Sequence, residues 1–229
     1  MTRPTVVLFD IDGTLVTTGG SGRRALERAF RTAHGRDDAL HHFPLDGMTD
    51  RSIVREGLRF IGVEPTGAII DEVLAVYLAC LEGEVQATPD ARYRVHPGME
   101  AAILATRARG MAVGLGTGNV REGARVKLAR VGLFQHFDFG GFGDDHEVRT
   151  ELIRIGARRG LERLQVPAEA ARVVVIGDTP KDVAAARAIG AESIGVGTGS
   201  YQPEQLLASG ATHAFPSLAS PGALEALLG

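Results

Sequence analysis

Cysteine is almost absent from this chain. Cys80 is the only one in 229 residues, so no internal disulfide can form and a reducing cytoplasm is the expected compartment. No run of apolar residues approaches the length of a membrane helix, and the N-terminus lacks the apolar stretch of a signal peptide. Neither sign of charge is in strong excess. A net charge of −3 without a concentrated basic patch argues against a nucleic-acid surface. Lysine is scarce: Lys127 and Lys181 are the only two among 25 basic residues. There is no internal repeat and no low-complexity tract. What remains is a chain long enough for one domain plus an insertion, or for two modest domains, with ample material for a core.

The most informative segment is Phe9-Asp10-Ile11-Asp12-Gly13-Thr14-Leu15. It places two carboxylates two positions apart at the end of a short apolar run, Val6-Val7-Leu8-Phe9, which reads as a buried strand. Gly13-Thr14 then turns the chain. In an open α/β sheet, ligands sit beyond the carboxyl ends of the strands, where this pair is aimed. Alternation sends both side chains the same way, but a turn at Gly13 lets one residue offer its backbone carbonyl instead. A second apolar run, Val173 to Ile176, ends in Gly177-Asp178-Thr179-Pro180-Lys181-Asp182. Four carboxylates gathered in one crevice repel strongly, and a divalent cation relieves that repulsion. Such a donor set suits a small hard ion and phosphate chemistry.

Between these runs the organisation changes. After Thr17-Thr18-Gly19-Gly20-Ser21-Gly22, helical spacing appears at Ala25, Leu26, Ala29, Phe30 and Ala33. Thr49 or Asp50 caps a second helix carrying Ile53, Val54, Leu58 and Ile61. A third helix shows Ile69, Ile70, Val73, Leu74, Tyr77, Leu78 and Leu81 in the i, i+3, i+4 rhythm. None of this stretch reads as strand, and several helices in succession point to a helical insertion between strands. From His96-Pro97-Gly98 onward, helix and strand alternate. Helices are expected at 99–109, 120–130, 150–162 and 181–189, and strands at 111–116, 172–177, 193–196 and 212–215, with a further one at Phe137-Asp138-Phe139. The expected fold is α/β, a doubly wound, Rossmann-like parallel sheet with an inserted α-helical domain. Its core spans 1–16 and 93–229, and the insertion, which the resemblance named below makes a cap domain, 17–92.

The chain resembles the haloacid dehalogenase superfamily, and within it the phosphatases of the phosphoglycolate phosphatase type. Asp10 to Thr14 matches the first motif, Ala112 to Thr117 the second, and Gly177 to Asp182 the fourth in loose form. The family usually carries Lys before the fourth motif, at a helix start. Here Lys127 falls inside the helix after Thr117 and Lys181 inside the fourth motif, so Arg149 is the residue that fits. Arg keeps the charge but presents a planar fork.

The resemblance implies a Mg²⁺-dependent phosphoric monoester hydrolase acting on a small phosphorylated metabolite, with phosphoglycolate the first candidate. It makes Asp10 the nucleophile and Asp12 the general acid and base, and it holds Mg²⁺ with Asp10, the Asp12 carbonyl and Asp178. Asp182 would orient a metal-bound water or position Lys181. Thr117, Arg149 and the amides of Gly118 and Asn119 would bind phosphoryl oxygens. The acid role requires Asp12 to carry a proton near neutral pH, which repulsion from Asp10 would favour. The insertion becomes a mobile cap hinged near Gly19–Gly22 and near 90–97, with Arg51 facing the leaving group and Arg55, His41 and His42 as lesser candidates. Asp12 speaks against a dehalogenase. A sugar phosphomutase stays open as the alternative, whereas a receiver module would be half this length and uncapped. A non-catalytic phosphate-binding module would have no need of both Asp10 and Asp12. No partner protein and no oligomeric state follow from the sequence.

Overall fold

The computed structural model describes residues 3–229. The first strand, β1 (Thr5–Phe9), is buried at every position. It lies in the middle of a six-stranded parallel sheet with β4 (Ala112–Gly116), β5 (Gly140–Gly141), β6 (Arg172–Gly177), β7 (Glu192–Val196) and β8 (His213–Phe215). The strand order is β5-β4-β1-β6-β7-β8. Val6 to Phe9 pair with Ala112 to Leu115 on one side and with Val173 to Ile176 on the other.

A strand covered on both faces can be apolar throughout, and its residues alternate between the two layers. Val7 and Phe9 join one layer with Met99 and Ile103 of α4 (Met99–Ala108), Ala124 and Leu128 of α5 (Arg121–Ala129) and Leu227 of α9 (Ala223–Leu228). Val6 and Leu8 join the other with Leu152 and Ile153 of α6 (Arg149–Leu164) and Ala185 of α7 (Pro180–Ala188). Helix α8 (Pro203–Ala208) links the last two strands.

The inserted cap is helical, with its own apolar core. Helices α1 (Ser21–His34), α2 (Asp50–Phe60) and α3 (Gly67–Ala87) bury Phe30, Leu58, Val73, Tyr77 and Leu81 against one another. Thr49, not Asp50, is the N-cap of α2, in a reciprocal capping box with Ser52. The crossings into and out of the cap pair with each other as a short antiparallel ribbon, β2 (Val16–Thr17) with β3 (Arg94–Val95).

Two sequence expectations are corrected here. Thr17 is in a strand although the surrounding stretch reads as strandless, because a two-residue ribbon leaves no periodic signal. Phe137-Asp138-Phe139 is not a strand: a 3₁₀ turn occupies Phe134–His136, and the pairing falls on Gly140–Gly141. The aromatic pair is buried for another reason, as Phe137 and Phe139 fill the two side layers. Glycine is required at 141 because a Cβ there would collide with the Leu152 carbonyl of α6. Among the described residues, no helix is long and apolar enough to cross a membrane.

Candidate active site

The sheet order makes β1 a switch point: the chain crosses to β4 on one side and to β6 on the other. The crevice beyond the ends of these three strands is the expected ligand position. Asp10 follows β1 directly and continues the ladder, its N–H donating to Ile176 O at 2.9 Å. Asp178 follows β6, and Thr117 follows β4. Asp182 lies in the first turn of α7, where its Oδ2 accepts from Thr179 N and Thr179 Oγ1.

Asp10, Asp178 and Asp182 are all buried, and each offers a carboxylate oxygen within 4.8 Å of the others. Gly13 makes this possible. Its φ is +80°, and a Cβ there would strike the Asp178 carboxylate. Gly199 abuts the same carboxylate and could not carry a Cβ either. Thr14 Oγ1 donates to Asp178 Oδ1 at 2.9 Å, and Thr198 Oγ1 donates to the Gly13 carbonyl at 2.6 Å.

This setting perturbs Asp10 and Asp178. Burial, reinforced by Asp182 and Asp12 and opposed by Arg149 and the Ile11 amide, pushes the Asp10 carboxyl up to about 6. Burial, Asp182 and Asp10 push Asp178 well above the usual carboxylate range. Arg149, the first residue of α6, supplies the compensating charge. Its Nε donates to Asp182 Oδ1 at 2.8 Å, and its Nη2 lies 2.9 Å from Asp10 Oδ2 and 2.5 Å from Asp182 Oδ1. Burial works against this charge, but Asp10 and Asp182 outweigh it and raise the guanidinium's pKa further. Nη2 is aligned with neither carboxylate as a hydrogen bond. A buried donor without an aligned acceptor, facing the crevice, is suited to an incoming anion.

The Asp12 carboxylate turns elsewhere. Its Oδ2 accepts from Lys127 Nζ at 2.6 Å and from Asn119 Nδ2 at 2.9 Å, and its Oδ1 from Thr18 Oγ1 at 3.3 Å. Lys127 also donates to Asn119 Oδ1 at 2.6 Å. The Asn119 amide and side chain both donate to Thr117 Oγ1. Burial alone would raise the Asp12 pKa, but Lys127 and these hydrogen bonds bring it below the ordinary value. The sequence expectation of a protonated Asp12 is therefore corrected. The nearest strong charge is a cation that sequence spacing did not place there.

The cap supplies the roof. A cavity of about 590 Å³ is bounded below by Asp10, Asp12, Gly118, Asn119, Arg149 and Asp178, and above by Arg23, Leu26, Leu45, Met48, Ile53 and Tyr77. The cap segment 46–50 is pinned onto the core. Lys181 Nζ donates to Asp46 O at 2.8 Å, Arg149 Nη1 to Gly47 O at 3.3 Å, and Asp50 N to Gly118 O at 2.8 Å. Val120 N donates to Asp50 Oδ2 at 2.9 Å, which sets the Asp50 carboxylate at the N-terminus of α5.

Asp182 thus engages Arg149 and Thr179, while Lys181 goes to the cap loop rather than to Asp182. Arg51 does not reach the cavity; it pairs with Asp71 at 2.6 Å on the cap surface. Arg55 is committed to Glu147, and His42 stacks on Phe60. His41 lies 3.8 Å from Glu27.

Gly118 meets the pinned loop so tightly that a Cβ would collide with the Met48 carbonyl. Its φ is not in the left-handed region, so Gly118→Ala lifts the cap loop without straining its own backbone. Steady-state kinetics on this variant should show kcat/KM reduced by about 10²-fold, the scale of an ångström of misplacement, with a near-normal melting temperature.

The sequence model of the haloacid dehalogenase-like hydrolases matches residues 4–190. This chain belongs to that family. It is 30% identical over 227 residues to the plasmid phosphoglycolate phosphatase of Cupriavidus necator, covering 96% of this chain and 95% of that protein. To the phosphoglycolate phosphatase of Rhodospirillum rubrum it is 29% identical, over 96% of this chain and 90% of the relative. The solved structure of CbbY from Rhodobacter sphaeroides in complex with phosphate superposes with a TM-score of 0.71 at 20% identity, over 99% of both chains. That likeness is one of fold. As a haloacid dehalogenase-like hydrolase the chain is an enzyme, a phosphoric monoester hydrolase.

The donor set of this hydrolase fits a divalent metal. Its three buried carboxylates offer only oxygen, the ligand type of small hard cations. Sequence reasoning missed Lys127 and Asp50 as site residues. The scarcity of lysine was the available signal for the first, and nothing local marks the second.

Proposed function

We propose that the enzyme hydrolyses a small phosphate monoester through an aspartyl-phosphate on Asp10, with Mg²⁺ held by Asp10, Asp178, Asp182 and the Asp12 carbonyl. The observation that carries this reading is the group Asp10, Asp178 and Asp182 with Arg149 Nη2 between two of them. Residues 17–92 act as the cap and 1–16 with 93–229 as the catalytic core, and the single Cys80 suits a reducing cytoplasm.

Arg149, with Thr117 and the amides of Gly118 and Asn119, orients the phosphoryl group. An Asp10 oxygen attacks phosphorus, and the bond from phosphorus to the leaving oxygen breaks. Asp12 rests ionised, so a monoester bound as its monoanion brings the proton that Asp12 passes to the leaving alkoxide. Asp12, ionised again, then takes a proton from the water that attacks the phosphorus of the aspartyl-phosphate. Bound Mg²⁺ would supply Lewis-acid stabilisation of the negative charge on the phosphoryl oxygens. The cap excludes bulk water during both steps.

Phosphoglycolate is the substrate first expected, from the names of two relatives. The test is a phosphate-release screen over small monoesters with Mg²⁺ and with chelator. Release of free phosphate that stops in chelator is the expected result. Full rate in chelator contradicts the metal assignment. Conversion of a sugar phosphate to its isomer without net phosphate release contradicts the hydrolytic one.

A further inference from the structure

Lys127 has no task in the steps above, yet its side chain is even more enclosed than that of Arg149. Its side chain is 5% exposed, whereas that of its partner Asp12 is 41% exposed. The lysine is therefore hidden behind a carboxylate that itself stays open to the cavity.

The contacts are asymmetric. Lys127 and Asn119 both donate to Asp12 Oδ2, at 2.6 and 2.9 Å. Among the described residues, Oδ1 has only the longer 3.3 Å contact from Thr18. One oxygen is clamped by two donors while the other keeps accepting capacity toward the substrate. Lys127 also holds its fellow clamp, donating to Asn119 Oδ1 at 2.6 Å. The backbone from which this side chain projects is held in turn by Tyr93, whose hydroxyl donates to the Lys127 carbonyl at 2.8 Å.

Space favours lysine over the arginine that this chain uses almost everywhere else. A Cβ on Gly22 would already lie 3.1 Å from Nζ. A compact ammonium fits beneath that residue, and a planar guanidinium is larger and needs a different arrangement of acceptors.

We propose that Lys127 is a positioning residue for proton transfer to the leaving group: it fixes the Asp12 carboxylate so that its less engaged oxygen faces the leaving oxygen. This rests on the acid role of Asp12 proposed above. Positioned acid catalysis contributes typically about 10² to 10⁴-fold, and it matters most when the leaving group is a poor one.

The test compares Lys127→Met with the parent enzyme, in Mg²⁺, on an alkyl phosphate and on p-nitrophenyl phosphate. The readout is kcat/KM, which reports events up to release of the leaving group. The alkyl ester should lose about 10²-fold and the aryl ester at least tenfold less, because nitrophenolate departs with little protonation. In a cycle with Asp12→Asn, the double variant should be no worse than Asp12→Asn alone on the alkyl ester. Equal losses on both esters, multiplying losses in the double variant, or no loss at all would each overturn the proposal. If Lys127→Met does not fold, Lys127→Gln, with a shorter donor, is read by the same two comparisons. Absence of phosphate release by the parent enzyme from either ester is a separate outcome, which defeats the hydrolytic reading itself.

Discussion

Asp10→Asn is expected to lose turnover by at least about 10⁴-fold, the scale associated with removing a covalent nucleophile, while becoming more resistant to heat in chelator. The second half of this result follows from the sign of the Asp10 perturbation. Its carboxyl is raised from 3.8 to about 6 by burial and by its acidic neighbours, net of Arg149. A raised folded-state value means that Asp10's contribution to stability is fully present below about pH 4 and is lost as pH rises through about 6. At pH 7.5 the cost is on the order of 3 kcal/mol in the metal-free protein, at about 1.4 kcal/mol per pKa unit.

Asparagine does not ionise, so the variant escapes this cost. Its melting temperature in chelator at pH 7.5 should exceed the parent's by about 5–10 °C, and the gap should shrink to about a third of that at pH 4.5 and close below about pH 4. Added Mg²⁺ should stabilise the parent more than the variant, and more at pH 7.5 than at 4.5, because the metal competes with protons for the same oxygens. Calorimetry in chelator and in Mg²⁺ at both pH values, beside a phosphate-release assay, measures the whole pattern. Near-normal turnover in Asp10→Asn contradicts the nucleophile. Equal melting at both pH values contradicts the electrostatic account.

Arg149→Met should be the most damaging change to the metal-free fold. It leaves Asp10 and Asp182, 2.9 and 2.5 Å from Nη2 in the parent, without their buried counter-charge. Removing one partner of a buried ion pair costs about 3–5 kcal/mol, or roughly 10 °C in melting temperature for a chain of this size. Divalent cation should restore part of that loss, since it neutralises the same carboxylates. Turnover should not recover, because the donor facing the phosphoryl group is gone; losing one such group costs about 10² to 10³-fold.

Arg149→Lys separates charge from shape. It should fold like the parent and keep most of the metal-free stability. One ammonium cannot reproduce the Nε contact to Asp182 together with the Nη2 approach to Asp10, so about a tenfold loss of turnover is expected. Recovery of turnover by metal in Arg149→Met would contradict a phosphate-facing role for the guanidinium.

The parts of this molecule legible in the sequence are those encoded by neighbours along the chain. Val6 to Phe9 announces a doubly covered strand by its unbroken apolar run, and Asp10 follows from where that run stops. The helical rhythm of residues 69–81 is repeated in the buried face of α3, through Ile70, Val73, Leu74, Tyr77 and Leu81. Arg149 comes from the family resemblance, which expects a cation at a helix start ahead of Asp178.

The features that escaped the sequence depend on segments meeting from far apart. Lys127 and Asp12 are separated by 115 positions, and no local pattern ties them. The steric reason for glycine at 118 is a carbonyl at position 48. Arg51 and Arg55 stand one turn apart in the sequence, yet Arg51 finds Asp71 and Arg55 finds Glu147. Their acidic partners were not visible as partners until the chain was folded. The protonation state expected for Asp12 was misjudged for the same cause: repulsion from Asp10 was foreseeable, but the closer ammonium was not.

The measurement that bears most directly on the central claim is chemical trapping of the phosphorylated residue. Enzyme turning over a small monoester with Mg²⁺ is quenched in acid, treated with borohydride, digested and read by peptide mass spectrometry. An acyl phosphate on Asp10 is reduced to homoserine, so the predicted result is homoserine at position 10, dependent on both substrate and metal. Homoserine at a different carboxylate, or none anywhere while a slow-turnover substrate is being consumed, would contradict the account.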